Sequence, residues 1–314
     1  MTAPELSVVV MGYRNEDTVV DAVRSVVDQI GDERVEVVVV TSGGDDSARR
    51  VHEAFPGLPV LDSPTRLLPG GARNAGVAAT TGELVAFLAA DCNAEPGWLA
   101  GRLTAHRAGH DAVAAAVVPS GRRTSAACAS HFLLFPARLP GRAAGDLPGF
   151  DDGGHGLSLR RSLLERLGPF DEEARIGEDT IVLRHLSKTG TPIWFDHAVR
   201  NGHPAPATLR ALLHDSARRG TLRGRWWDDR PARTDDLSLV LVSALRVWQR
   251  LHWTYRKVAR SSPSHLPTLV RVLPWMVAAA VVGQVAWARE VRADRSGTGA
   301  HRRRKRRKGR SIAA

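Results

Sequence analysis

Two cysteines in 314 residues, Cys92 and Cys128, are too few and too far apart for a disulfide framework or a cysteine-built zinc cage, and they fit a reducing compartment. No internal repeat is visible, which excludes solenoids and propellers. The chain opens with an acidic-polar lead that passes straight into a strand-like run, so no cleaved leader is expected. Negative charge is scarce only at one end. Residues 289–314 hold eleven Lys/Arg against two Asp/Glu, a net +9 of the chain's +11, leaving +2 for residues 1–288. The body is thus nearly neutral and shows no basic face, which disfavours nucleic acid as a partner. The basicity belongs to a tail whose run Arg302 to Lys308 cannot fold by itself, because like charges repel and nothing in it can be buried. Such a tail is either a solvated extension or an attraction to anionic lipid or nucleic acid.

What remains is a globular composition, 43% apolar and 25% charged. Residues 6–12 and 34–41 are β-branched runs too short for helices. Residues 16–30 place Val19, Val23, Val26, Val27 and Ile30 at helical spacing. Helical stretches are also expected at 47–55, 71–80 and 95–108, and strands at 58–61, 83–90 and 112–118. This alternation predicts a mostly parallel sheet covered by helices on both faces. Residues 120–150, rich in Gly, Pro, Ala and Arg, read as a connection. Beyond them, 157–167 and 180–188 read as helices and 192–195 as a strand.

In open α/β sheets ligands bind beyond the carboxyl ends of the strands. Polar loops follow the first, second and fourth strands: Tyr13-Arg14-Asn15-Glu16, Ser42-Gly43-Gly44-Asp45-Asp46 and Asp91-Cys92-Asn93. Arg73 and Asn74 follow two glycines at a helix start, where backbone can approach phosphate and the helix favours an anion.

Four segments carry a family resemblance. Ser7-Val-Val-Val-Met-Gly-Tyr-Arg-Asn-Glu16, Pro69-Gly-Gly-Ala-Arg-Asn-Ala-Gly76, the segment Phe87 to Leu99 (FLAADCNAEPGWL), and Gly168-Pro-Phe-Asp-Glu172 followed by Gly177-Glu-Asp-Thr180 stand in that order. Over about residues 5–225 the chain resembles a family 2 glycosyltransferase of the GT-A fold. The resemblance implies an α/β, Rossmann-like catalytic domain over 1–225, an inverting transfer from a nucleoside-diphosphate sugar, and a divalent cation, Mn2+ or Mg2+. It implies that Gly12, Tyr13, Asn15, Glu16, Ser42, Arg73, Asn74 and Ala90 hold the donor. Asp91 matches the last aspartate of the family's DxD motif and is expected to bind metal, with the alternative that it caps the next helix. Ala89 replaces the motif's first aspartate. His203 matches a family histidine that reaches the metal or diphosphate, or is an ordinary loop residue. Asp179, with Glu178 beside it, matches the general base, or the pair merely complements a helix dipole. Arg73 either pairs with diphosphate or braces the acidic loop. Where the family shows Asp-Asp-Gly-Ser after its second strand, this chain has Thr41-Ser42-Gly43-Gly44, so the base is uridine by resemblance alone.

Six of eight tryptophans lie after residue 225. Residues 272–288 are apolar but for Pro274, Gly283 and Gln284, the lower limit of a membrane span, with tryptophans near both ends as in an interfacial belt. A Trp-rich helical segment over 226–290 and a disordered basic tail over 291–314 are expected. Arg246, Gln249 and Arg250 make a full span of the preceding apolar segment costly. Attachment to the cytoplasmic face of the membrane is therefore expected, with an anionic lipid surface as partner and a saccharide or lipid-linked acceptor. The alternatives are a helical subdomain packed on the enzyme and, for the whole chain, a catalytically degenerate GT-A fold acting as a binding or scaffold protein. The Ala/Arg/Gly/Val bias is that of a GC-rich bacterial genome.

Overall fold

The computed structural model describes residues 3–147, 155–175, 177–226 and 235–295, without the side chains of 178, 226, 236, 294 and 295. The described residues form two compact units. The first runs to Gly121 and resumes from Phe135 to Pro204; the second comprises Arg122–Leu134 and the chain from Ala205 on. Helix Leu209–Trp226, which lies before the 225 boundary in sequence, belongs to the second.

In the first unit the order is β1 (Leu6–Met11), α1 (Val19–Val27), β2 (Val35–Ser42), α2 (Ser47–Ala54), β3 (Val60–Ser63), α3 (Pro69–Ala78), β4 (Leu84–Ala89), β5 (Asn93–Ala94), α4 (Trp98–Arg107) and β6 (Ala112–Ser120). Helix α5 (Ser125–Leu134) belongs to the second unit. The first continues with β7 (Gly145–Asp146), β8 (Leu157–Arg160), α6 (Arg161–Leu167), α7 (Glu178–Lys188) and β9 (Trp194–Pro204). The described strands form one sheet in the order β3-β2-β1-β4-β8-β6-β9-β5, with β7 on β9.

All six residues of β1 are buried because both faces of the sheet are covered. Val8 and Val10 pack with Val19, Val23 and Val26 of α1, whereas Val9 and Met11 face Ala72 of α3 and Leu183 and Leu186 of α7. Alternate residues of one strand therefore feed two cores. Strands β3, β2, β1 and β4 are parallel; β8 then enters antiparallel to both β4 and β6, making the sheet mixed.

Residues 157–167 are not a single helix. Leu157 and Leu159 point into the core while Ser158 serves the opposite face, a period of two, and only from Arg161 does the chain coil. Leucines at 157, 163, 164 and 167 also suit helical spacing, which hides the strand in the sequence. The stretch 120–150 holds α5 and β7 rather than an unstructured connection.

The second unit consists of α5, α8 (Leu209–Trp226), α9 (Asp236–Ser261), a 3-10 turn (Pro263–His265) and α10 (Leu266–Arg295). Helix α10 passes Pro274 and Gly283 unbroken and continues beyond residue 290. A Cβ on Gly220 of α8 would lie 2.0 Å from the Gly283 carbonyl oxygen, so these two helices cross at backbone contact. Trp287 is 1% exposed, under the Arg246 guanidinium at 4.1 Å. It is a core residue of this unit and not, as expected, part of an interfacial belt. Arg250 donates to the Leu133 carbonyl of α5. Outward, α9 presents Leu237, Val240, Leu241, Leu245, Trp248 and Tyr255, and α10 presents Val270, Leu273, Val277, Val281 and Val285. One helix among the described residues, within Pro263–Ala293, is long and apolar enough to cross a membrane. Residues 296–314, with the basic run, lie outside the described residues.

Candidate active site

Strand β1 pairs with both β2 and β4, so the winding of the sheet reverses between β1 and β4. The crevice at such a reversal is where open sheets receive ligands. Gly12 ends β1 there and Ala90 ends β4. The Ala90 amide donates to Met11 O (2.8 Å), and a Cβ on Gly12 would stand 2.7 Å from the Ala90 Cβ. Only glycine allows the two strand ends to approach so closely.

The loops after β1 and β2 are knitted together. Glu16 N donates to Asp45 Oδ2 (3.2 Å), and Asp46 N donates back to Glu16 Oε2 (3.2 Å). Asn15 N donates to the Ser47 hydroxyl, while Asn15 Oδ1 accepts from Tyr13 N (2.9 Å). Tyr13 is partly exposed, with Arg66 4.2 Å and Arg14 5.6 Å from its ring centre. An aromatic face bordered by two cations suits a planar group bearing phosphates. Ser42 is buried and its hydroxyl donates to Gly12 O (3.2 Å). Beside it, Thr41 donates to the Asp62 carboxylate of β3 (2.7 Å). A carboxylate of the third strand thus stands beside Thr41, a relation no local motif reveals.

Arg73 and Asn74 tie α3 to the loop preceding α7. Asn74 Nδ2 donates to Phe170 O (3.0 Å) and to Glu172 Oε1 (2.9 Å), and its Oδ1 accepts from Phe170 N (2.9 Å). The buried Arg73 guanidinium lies 5.3 Å from the Phe170 ring centre and 5.7 Å from that of Phe87. Arg73 thus lies against the rings of Phe87 and Phe170. It links two motifs nearly a hundred residues apart.

Asp91 sits exposed on the turn closed by Cys92 N to Ala89 O (2.9 Å). Helix α4 begins at Trp98 with Gly97 at its cap, so Asp91 does not cap it. Sheet topology brings two further groups to this turn. Strand β5 runs on from the turn and pairs with Asn201 and Gly202 of β9, which delivers His203. Strand β8, antiparallel to β4, begins at the end where β4 stops, which delivers His155. Cys92 Sγ is 3.5 Å from both Asp91 Oδ1 and His155 Nε2, and the ligand atoms of Cys92, His155 and His203 all lie within 4.8 Å of one another. Burial, then the Asp91 charge, pushes the Cys92 thiol far up from its ordinary value.

A buried cation braces this corner. Arg138, in the segment that the sequence left unread, donates to Ala115 O (2.6 Å) and His155 O (2.5 Å). Burial pushes it down to about 10, opposed by the charge of Asp179. Asp179 stands in the first turn of α7, half-buried, its Oδ1 accepting from Thr180 N (2.7 Å). Glu178 opens the same helix, but its side chain lies outside the described residues. Behind His155, Arg102 donates to Gly156 O and to Ser158 (both 2.8 Å), and His106 meets the same hydroxyl (2.8 Å). Burial lowers His106 to about 4, so it is neutral. Arg66, Asp62, Cys92, Arg138 and His155 escaped the sequence reading because each is defined by a partner distant in the chain.

A doubly wound sheet with its crevice at the β1/β4 reversal, and acidic residues on the turns beyond it, fits a glycosyltransferase of the GT-A fold, and the family match makes it one. The chain belongs to glycosyl transferase family 2, whose family model matches residues 7–168. It is similar to glycosyltransferase AglE of Haloferax volcanii, with 27% identity over 258 residues, 79% of this chain and 80% of that one. It is also similar to succinoglycan biosynthesis protein ExoO of Rhizobium meliloti, with 32% identity over 203 residues, 57% of this chain and about half (55%) of that relative's length. Among solved structures, the mannosyltransferase PcManGT from Pyrobaculum calidifontis, in complex with GDP-Man and Mn2+, shares the fold at a TM-score of 0.55. Its identity is 18%, with 94% of this chain and 88% of that one covered.

Proposed function

We propose that this glycosyltransferase moves a sugar, with inversion, from a nucleoside diphosphate to a saccharide or lipid-linked acceptor at the cytoplasmic face of a membrane. One observation carries the reading: Gly12 and Ala90 bring the ends of β1 and β4 together at the reversal of the sheet, with the Asp91 carboxylate exposed on the turn just beyond them. Asp91 offers an exposed carboxylate fit for a divalent cation. When bound, that cation supplies positive charge to the departing diphosphate. Asp179 takes the proton of the acceptor hydroxyl as its oxygen bonds the anomeric carbon, and the carbon–diphosphate oxygen bond breaks on the opposite side. Tyr13, Asn15 and Glu16, with Gly12, Ser42 and Ala90 beneath them, hold the nucleotide. Arg73 and Asn74 serve by fixing the loop that leads to Glu178 and Asp179. The catalytic domain extends over about 1–225, with the helical segment 226–290 and the basic tail 291–314 serving attachment.

The membrane reading rests on α9 and α10. On α9, Arg246 and Arg250 turn inward while Leu237, Val240, Leu241, Leu245 and Trp248 turn outward, and that apolar face suits an apolar surrounding. The basic tail complements anionic headgroups.

The test is thermal stability against a panel of nucleoside diphosphates and their sugars, with and without Mn2+. A shift that requires the metal and vanishes in Asp91→Ala supports the reading and identifies the base. No shift with any nucleotide, in folded protein, turns the reading toward a degenerate fold that binds without turnover.

A further inference from the structure

We propose that Cys92, His155 and His203 form a three-ligand site for a zinc-class ion, Zn2+ or Co2+. The ligand set stands independently of the donor reading. Only the ion's use in transfer rests on it.

Geometry comes first. A tetrahedral zinc with one sulfur and one imidazole nitrogen separates those two atoms by about 3.6 Å. Cys92 Sγ and His155 Nε2 stand 3.5 Å apart, and His203 completes a set whose ligand atoms lie within 4.8 Å of one another. Small side-chain movements therefore close the triangle. The two imidazoles already meet edge to face, ring centres 5.0 Å apart at 78°, and Phe135 packs against both, at 5.7 Å from His155 and 5.0 Å from His203. An aromatic wall of this kind limits ring rotation.

The scaffold is rigid where it needs to be. His203 lies on β9 in register with Pro119 of β6. The carbonyl of His155 is held by buried Arg138, and that of Gly156 by buried Arg102. Cys92 is fully buried on the turn after β4. Three distant segments are thus fixed at one point by the sheet.

Donor chemistry selects the ion. A thiolate and two imidazoles suit Zn2+ and Co2+, whereas Mg2+ and Mn2+ prefer oxygen. Three protein ligands leave a fourth position for an exchangeable oxygen, as in reactive rather than structural zinc sites. The Asp91 carboxylate, 3.5 Å from the sulfur, stands where it could supply or border that position.

The test uses the full chain, stripped with a chelator and titrated with Co2+. One equivalent is expected to give a near-ultraviolet thiolate-to-cobalt band, displaced by Zn2+ and not by excess Mg2+. Cys92→Ser is expected to abolish the band, and Cys128→Ser to leave it. His155→Gln is expected to weaken Zn2+ binding at least about tenfold, measured against a chromophoric chelator. This second variant covers the case in which Cys92→Ser fails to fold. Absence of the band in folded protein, or a band that persists in Cys92→Ser, overturns the proposal. A Mn2+-dependent nucleotide shift without the cobalt band removes only the zinc site. The cobalt band without any nucleotide shift leaves the zinc site and removes the donor reading.

Discussion

The two units solve opposite burial problems. In the first, apolar strands are sealed between helical layers, and charge is carried by loops at the strand ends. In the second, α9 and α10 turn Arg246 and Arg250 inward and expose leucines, valines and Trp248. Apolar side chains exposed together in this way are the feature on which the proposed membrane attachment rests.

Several variants can break or sharpen this contrast. The largest effect is expected at the proposed base. Asp179→Asn should lower kcat by about 10²–10⁴-fold while nucleotide binding and liposome binding stay intact. A comparable loss of nucleotide affinity instead would reassign Asp179 to donor binding. Next, the double substitution Leu241→Glu and Trp248→Glu should weaken sedimentation with anionic liposomes by about 10²–10⁴-fold, since each side chain contributes about 1.5–3 kcal/mol of burial. Unchanged sedimentation would show that this face meets no lipid.

A smaller effect is expected at His106. Burial holds it at about 4, below its ordinary value of 6.5. The unfolded chain therefore binds the extra proton first. The stability this residue contributes is complete above pH 6.5 and is lost as pH falls toward 4, by about 1–3 kcal/mol. Melting temperature measured across that window should fall more steeply in the native protein than in His106→Gln. Equal slopes would place the pH sensitivity elsewhere.

The smallest concerns Glu36, which accepts from Ser7 (2.7 Å), Thr81 N (2.6 Å) and Gly82 N (2.8 Å). Burial by itself would raise its carboxyl, but these bonds and Arg161 hold it below the ordinary value. Glu36→Gln should cost about 1 kcal/mol at neutral pH, with the gap closing as acid protonates the carboxylate. A gap that persists in acid would mean shape, not charge, sets the cost.

Much of the first unit was readable because its signals are local. β1, β2 and β4 announce themselves as β-branched runs, since a strand buried on both faces needs apolar residues throughout. The turns carrying Asp91 and Asp179 sit at the ends of recognisable segments. The helix expected over 157–167 failed because four residues are too few to distinguish a strand from a helix start when the leucines satisfy both periods. Trp287 was misjudged because hydropathy reports a side chain's preference, not whether a helix or a lipid satisfies it. Counting cysteines rejected a metal cage but could not find Cys92 with two histidines, whose ligands come from three separate segments.

The sequence by itself determined the family, the alternation of strand and helix, and the polar loops at the strand ends. Each of these is set by side-chain chemistry within a dozen residues. Tertiary structure alone decided that β8 enters antiparallel, that Arg138 holds the His155 carbonyl, that Asp62 stands beside Thr41, and that α9 turns Arg246 and Arg250 inward. Those outcomes depend on which distant segments pair, a choice made by the closing of the sheet and the sharing of buried surface, and neither is written in any one stretch of the chain.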